Sequence, residues 1–548
     1  MITNIPHYFD RMENAVKKYW NHEALCDFRG KKMTYGEMMT QMEMAHLFFE
    51  GMDIKKGDHI ALCAKNCASW ALSFLSITTY EAVVVPILVD FKPESVHKLV
   101  THSDSVLLMT DNDTWKKLNI NEMPNLKAVI NIETMETLAA ATEEVEKAKA
   151  AVKEKFDAKF PDGLKAEDVK FPKDNMDCLA VINYTSGSTG EPKGVMLTYR
   201  SLSAGIDYGH RHIPVHEGDK MVSMLPMAHI YGMAFEFLYP LSGGASITYL
   251  GKSPSPTLLL QAMAEVKPYL ICTVPLVMEK IYKGKLKPTL SKKSMKVLRS
   301  IPGIKNIINK KIREKLDLAF GGQVRSYVMG GAALNPEVES CFKSIGLHYT
   351  VGYGMTEASP LLAYADWREY KKGSCGKSVD CGEARIDSSD PTKIVGEIQA
   401  KGPNICIGYY KNEEATRKLF TEDGFMHTGD LGLIDKNGNI YIKGRSKNMV
   451  LSASGQNIYP EEVEAVVNNQ EYVMESVVVE RELKLVALIY LNRDAMKKDG
   501  VVEQDVVNTI VANSNAQLPA YSQITKVEVR DEPFEKTPKM SIKRFMYN

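Results

Sequence analysis

The stretch Tyr184-Thr-Ser-Gly-Ser-Thr-Gly-Glu-Pro-Lys-Gly194 gathers hydroxyls, glycines and one fixed cation directly after an apolar run, Cys178 to Ile182. Glycines let a backbone approach a ligand closely, hydroxyls and successive N–H groups can cradle phosphate oxygens, and Lys193 adds positive charge. Phosphate binding by Thr185, Ser186, Gly187, Ser188, Thr189, Gly190 and Lys193 is the expected chemistry. The stretch is not the nucleotide-binding P-loop, because no Gly-Lys-Ser/Thr triplet closes it. A Ser/Gly-rich surface hairpin is the plain alternative that these residues alone leave open.

The elements that must position such a loop are legible upstream. HIALCAKN, ASWALSFLSITTYEA, VVVPILVD, ESVHKLVTHSD and VLLMTD alternate apolar runs with helical patterns. This alternation predicts a mainly parallel sheet covered by helices. From Ala139 to Lys170 the chain is rich in Ala, Glu and Lys and reads as a solvated helix or linker. Further on, Asp435-Lys-Asn-Gly438-Asn predicts a turn between strands. A helical pattern over Pro460 to Asn468 and strand-like runs VVVE and LKLVALIYL then predict a small α+β unit at the C-terminal end.

Bulk properties bound the function class. With 548 residues, at least two domains are expected. Lys+Arg and Asp+Glu balance at 68 each, so net charge gives no argument for a nucleic-acid partner. The nine cysteines lack companions at zinc-ligand spacing and read as reduced, mostly buried thiols, which agrees with a cytoplasmic compartment. No secretory leader is expected at Met1 to Trp20, and no apolar run approaches the roughly 20 residues that span a bilayer. Between Lys280 and Lys315 the chain carries about a dozen basic residues and almost no acids, interleaved with apolar ones. A solvated helical face is one reading of it. A patch for anionic lipid headgroups or for a polyphosphate substrate is the other.

Taken whole, the 184–194 stretch resembles the phosphate loop of the adenylate-forming (AMP-binding) enzymes, which include acyl-CoA synthetases, luciferases and peptide-synthetase adenylation domains. Other motifs carry the resemblance along the chain, in the family's order. Leu225-Pro-Met-Ala-His229-Ile-Tyr-Gly232 looks like the segment beside the acyl pocket, which implies that His229 faces the substrate carboxylate. Gly330-Gly331-Ala332-Ala-Leu334 resembles the end of the adenine-pocket strand. Val351-Gly-Tyr-Gly-Met-Thr-Glu-Ala358 is similar to the next signature, implying Tyr353 on adenine, Thr356 on the α-phosphate and Glu357 on magnesium. An aromatic face, a hydroxyl and a hard carboxylate oxygen suit those roles. His427-Thr-Gly-Asp430 and Gly444-Arg445 match the ribose contacts of Asp430 and Arg445. Val274 to Tyr282 and Ser454 to Glu462 look like segments of long-chain fatty acyl-CoA synthetases.

The resemblance implies an α/β fold: a large N-terminal domain of helix-covered sheets (residues 1–446) and a small mobile C-terminal α+β domain (447–548), with Lys447 at the hinge. It implies ATP and Mg²⁺ use, activation of a medium- or long-chain fatty acid as its acyl-adenylate, and transfer to CoA. A ligase feeding a separate acyl carrier protein, and a nucleotide- or acyl-binding protein that has lost catalysis, are the alternatives; no fused carrier domain is expected. The location implied is cytoplasmic, with peripheral contact to the inner face of the membrane if the basic stretch meets lipid. One departure stands out. The family's C-terminal catalytic lysine aligns with Ser541, while Lys539 and Lys543 lie two residues to either side, on one face of an extended segment. Either lysine is a substitute by a small shift, with Lys543 preferred.

Overall fold

A computed structural model describes residues 4–140, 142–185, 192–251, 255–301, 303–451, 456–482, 484–536 and 542–547. The alternating segments near the N-terminus fold as strand His59–Cys63, helix Ala68–Thr79, strand Val83–Pro86, helix Pro93–His102 and strand Leu107–Thr110. The helix Ala68–Thr79 is apolar on all sides because it is enclosed on all sides. Trp70 stacks on Phe74, and Phe237 meets both rings edge-on.

These strands belong to an eight-stranded sheet. Its order is Gly408–Tyr409, Lys193–Thr198, Leu179–Thr185, Val83–Pro86, His59–Cys63, Leu107–Thr110, Ala128–Asn131 and Thr137–Ala139. The middle pairings are parallel and the outer ones antiparallel. The central strands are apolar on both faces, as burial between helix layers requires. A second, three-stranded parallel sheet joins Leu270–Thr273, Ser326–Met329 and Tyr349–Val351. A third, antiparallel, carries Gly396–Lys401, Met426–Ile434 and Ile440–Arg445. The last two strands are joined by the expected Asp435 turn, in which Asp435 Oδ1 accepts the N–H groups of Asn437 and Asn439 and Gly438 takes φ +84.

The Ala/Glu/Lys stretch forms helix Glu143–Lys159, capped by Thr142, and it buries Val145, Ala148 and Phe156. Ala148 lies against Gly51, at the end of helix Tyr35–Gly51. Only that narrow stripe is apolar, which is why the segment looked solvated.

After residue 447, helix Pro460–Val467 packs on the sheet of Val473–Arg481, Lys484–Leu491 and Lys526–Arg530. Ile458, Val463, Val467, Val478 and Ile489 belong to an apolar core separate from those of the first 450 residues. No helix among the described residues is long and apolar enough to cross a membrane.

Candidate active site

A cleft of about 1760 Å³ brings together segments from every part of the chain. At one end, strand Leu179–Thr185 pairs with Lys193–Thr198 so that Thr185 stands opposite Lys193. The glycine-rich stretch is therefore the connection of a sheet hairpin, and both its ends line the cleft. Ser186, Gly187, Ser188, Thr189 and Gly190 lie outside the described residues. The Lys193 ammonium sits 4.9 Å from the centre of the Tyr409 ring. The Tyr409 hydroxyl in turn donates to Glu357 Oε1 at 2.9 Å. Burial and then Glu357 push the Tyr409 phenol up, so it remains a donor.

Glu357 and Thr356 share the short turn Thr356–Ala358, and both are buried at the cleft wall. Just before them Tyr353 lies in strand Tyr353–Gly354, paired with Leu361–Tyr364. Its hydroxyl donates to Asp430 Oδ2 at 2.8 Å. Asp430 pairs in register with Arg445 on the neighbouring strand, and Arg445 Nε reaches Asp430 Oδ1 at 3.1 Å. Burial raises the Asp430 carboxyl, and Arg445 opposes that rise. Asp430 is nearly enclosed while Arg445 is largely exposed, so the acid is fixed and the part of the guanidinium not paired with it is open to solvent.

Gly331 and Ala332 follow strand Ser326–Met329 and line the same region. Gly331 takes φ +85, a conformation that a side chain would strain. His229 caps the short helix Ile230–Gly232, its Nδ1 accepting from the Tyr231 N–H at 3.2 Å, and the residue lines the cleft.

Lys447 stands on the rim in the turn Ser446–Asn448. Desolvation and then Arg445 hold its ammonium below the ordinary lysine range, against the pull of Asp430. Lys543 reaches the cleft from the C-terminal segment and pairs with Glu535 at 3.2 Å. Lys539 and Ser541 lie outside the described residues. Arg544, in contrast, is tied into the C-terminal unit, bonding to the Val478 carbonyl at 2.8 Å and to Glu464.

Away from these polar groups the cleft becomes apolar. Phe235, Tyr239, Cys272, Val277, Ile281 and Phe320 line it, and it reaches helix Ile304–Ala319 at Leu316 and Ala319. Behind this wall Glu236 is fully buried. Its Oε2 accepts the N–H groups of Met224 (3.0 Å) and Leu225 (2.8 Å) and the Ser223 hydroxyl (3.2 Å). Burial pushes its carboxyl up to about 8, despite those bonds.

Two cleft residues had no sequence signal. Tyr409 arrives by a long-range strand pairing at the sheet edge. Glu397 accepts from His427 Nδ1 at 2.7 Å and from the Gly429 N–H at 2.9 Å, which fixes the turn before Asp430. Pairing of Gly396–Lys401 with Met426–Ile434 places it there.

Comparison with known proteins identifies the family. Residues 12–410 match the model of the AMP-binding enzymes, and residues 447–547 that of the AMP-binding enzyme C-terminal domain. Long-chain-fatty-acid–CoA ligase 4 of Saccharomyces cerevisiae is 30% identical over 538 residues, covering 89% of this chain and 76% of that one. Long chain acyl-CoA synthetase 6, peroxisomal, of Arabidopsis thaliana is 29% identical over 497 residues, or 85% of this chain and 69% of that protein. The crystal structure of the anthranilate CoA ligase AuaEII in complex with anthranoyl-AMP has the same fold, with a TM-score of 0.79, 19% identity, and 100% of this chain and 97% of that chain covered. The chain belongs to the AMP-binding enzyme family, and its relatives place it with the long-chain acyl-CoA synthetases.

Proposed function

We propose that this chain is an AMP-forming acyl-CoA synthetase that activates a medium- or long-chain fatty acid. The observation that carries the reading is the continuity of one cleft, from the Tyr353–Asp430–Arg445 cluster past Lys193, Thr356 and Glu357 into an apolar cavity. A nucleotide at the polar end and an acyl chain at the apolar end would put a carboxylate beside an α-phosphate. In the first half-reaction a carboxylate oxygen attacks the α-phosphorus and pyrophosphate leaves. In the second, the CoA thiolate attacks the acyl carbonyl and AMP leaves.

The roles are those that the family resemblance implies, and the chemistry of each residue suits its role. Asp430 and Arg445 hold the ribose hydroxyls, and the ring face of Tyr353 remains available to adenine because its bond to Asp430 uses only the hydroxyl. Thr356, Lys193 and the hairpin connection take the phosphates. His229 faces the acid carboxylate, and Lys543 supplies positive charge during adenylation. Glu357 would hold Mg²⁺. Among the described residues no group of three or more His, Cys, Asp or Glu could cage a metal. That fits an ion completed by phosphate oxygens and water, with one hard carboxylate from the protein. When bound, the ion would neutralise phosphate charge. The boundary at 446/447 makes Lys447 the swivel of the C-terminal domain between half-reactions.

Nine free thiols, most of them buried, suit the reducing cytoplasm. The basic stretch supports peripheral membrane contact. Val297 is 62% and Ile307 59% exposed among its lysines, and helix Ile304–Ala319 also borders the apolar end of the cleft. Binding to anionic vesicles should weaken steeply as salt shortens screening to about 8 Å; salt-independent binding, or none at low salt, removes this contact.

The deciding experiment measures AMP and pyrophosphate release over acids of graded length, with and without CoA. Acid-dependent exchange with CoA-dependent AMP release is expected. Exchange without a CoA effect would point to a carrier protein as acceptor, and no exchange to a binding protein.

A further inference from the structure

The two units touch far from the hinge, and the contact is built on one helix. Helix Pro460–Val467 is gripped near its N-terminal end by residues around the hinge: Lys443 pairs with Glu462 at 2.9 Å, and Asn448 Nδ2 donates to Glu461 Oε1 at 2.6 Å. Its other end meets residues much earlier in the chain. Lys283 Nζ donates to the Asn468 carbonyl at 3.1 Å. Asn335 Nδ2 donates to Asn469 Oδ1 at 2.5 Å. An ammonium at a helix C-terminus meets unsatisfied carbonyls and the negative end of the helix dipole.

Lys283 is exposed, but its ammonium is partly desolvated and tied to the other unit, and Asn335 is buried. Lys283 lies in the helical turn Tyr282–Leu286 and is held below the ordinary lysine range, first by desolvation and then by Lys287, with Glu279 and Glu337 opposing. Asn335 is buried, and its other polar groups are committed. Its N–H donates to Glu279 Oε1 at 3.1 Å, and its Oδ1 accepts from the Glu337 N–H at 2.9 Å as the cap of helix Pro336–Ile345. That leaves Nδ2 aimed at the other unit. Glu279 thus faces both donors, joining them in one network. The residues flanking Lys283, namely Ile281, Gly284 and Lys285, line the apolar end of the cleft.

We infer that Lys283 and Asn335 are positioning residues that latch helix Pro460–Val467 and hold the C-terminal unit in the orientation that presents Lys543 to the cleft for adenylation. This rests on the two-step reading above. A helix held only near the hinge can turn about it; held at both ends, some 12 Å apart for eight residues, it cannot. Release of the latch must therefore precede the rotation that the second half-reaction uses. Because the latch lysine shares a helical turn with cleft-lining residues, an acyl chain that shifts this turn also shifts the latch.

Two arms test it. Lys283→Met keeps the apolar stem and removes the donor, and Asn335→Asp keeps the helix cap while removing the amide donor. Each should slow acid-dependent pyrophosphate exchange about tenfold, the loss expected for one buried or charge-assisted hydrogen bond. Thioester formation from supplied acyl-AMP should stay level or rise. Equal loss in both half-reactions, with a matching fall in melting temperature, would make these residues merely structural and overturn the latch. So would no loss in either. The second arm reads geometry without activity. The double variant Asn335→Cys/Asn469→Cys should form a disulfide under mild oxidant, found by mass spectrometry, and failure to form it overturns the contact. If the unmodified chain shows no acid-dependent exchange, the two-step reading falls, while this arm still reports on the contact itself.

Discussion

The two ends of the cleft are built by opposite means. The polar end is assembled from short contiguous runs, each closed by a local constraint: a hairpin register at Thr185 and Lys193, a tight turn at Thr356 and Glu357, and a strand pair that sets Asp430 against Arg445. The apolar end is a meeting of side chains from remote segments, Phe235, Cys272, Val277 and Phe320 among them. Polar chemistry demands particular atoms at particular places, whereas an acyl chain demands only volume and an apolar lining. A change at the polar end should accordingly act on every substrate alike, and one at the apolar end should act in proportion to chain length.

The strongest way to break that contrast is Glu357→Gln. The amide can still accept from Tyr409, so the fold and melting temperature should hold, but a neutral oxygen is a poorer magnesium ligand. Adenylation should fall about a hundredfold to a thousandfold, and by the same factor for short and long acids. Exchange at the wild-type rate would remove Glu357 from the site, and a length-dependent loss would erase the division between the ends.

A smaller, graded effect is expected of Gly284→Leu. Gly284 lines the cleft, takes no positive φ, and apart from its chain neighbours and its own helix backbone no atom lies within 4 Å of where its Cβ would stand, so a side chain can project there without strain. Specificity for the longest acids should drop about fourfold for each methylene excluded, corresponding to about 0.8 kcal/mol. Short acids should be unaffected. A uniform loss across lengths would place this turn nearer the reacting atoms than proposed.

The least effect, and one on stability alone, concerns Glu236 behind the wall. Its folded-state carboxyl titrates near 8, against an ordinary value of 4.5. Between those values the folded chain holds a proton that the unfolded chain has lost. This group's contribution to stability is therefore full below about pH 4.5, declines as pH rises, and is gone above about 8. The nearby Tyr231, Tyr249 and Cys272 are all pushed upward and stay neutral in that window. Melting temperatures of Glu236→Gln and wild type should diverge in the variant's favour from pH 5 to 8. Parallel curves would mean that the buried carboxyl is ionised throughout.

Legibility in the sequence follows the same division. Strands and helices of the large sheet could be read segment by segment, because burial on both faces leaves unbroken apolar runs such as Val83 to Val85. Thr185 and Lys193 could be singled out because phosphate chemistry restricts residue type over a few neighbouring positions, and Tyr353, Thr356, Glu357, Asp430 and Arg445 because they stand in motifs that resemble those of the AMP-binding enzymes; the fold gathers all seven in one cleft. Tyr409 and Glu397 could not. An isolated Tyr or Glu carries no local pattern, and each is delivered by strand pairing across a long separation in the chain. Lys283 and Asn335 escaped notice for a related reason: a lysine among lysines and a helix cap look ordinary until the partner helix is in place.

Strand Ile440–Arg445 has a mechanical consequence. Its last residue touches Asp430, and the proposed swivel begins two residues later at Lys447. The proposed sugar grip and the proposed pivot thus sit on the short arm of a lever whose long arm runs out along helix Pro460–Val467 to Asn469. A small turn about the proposed pivot would become a larger sweep at the tip, while the residues beside the pivot would hardly move. On the proposed reading, such a geometry would let the chain change partners at the far end without letting go of the nucleotide at the near one.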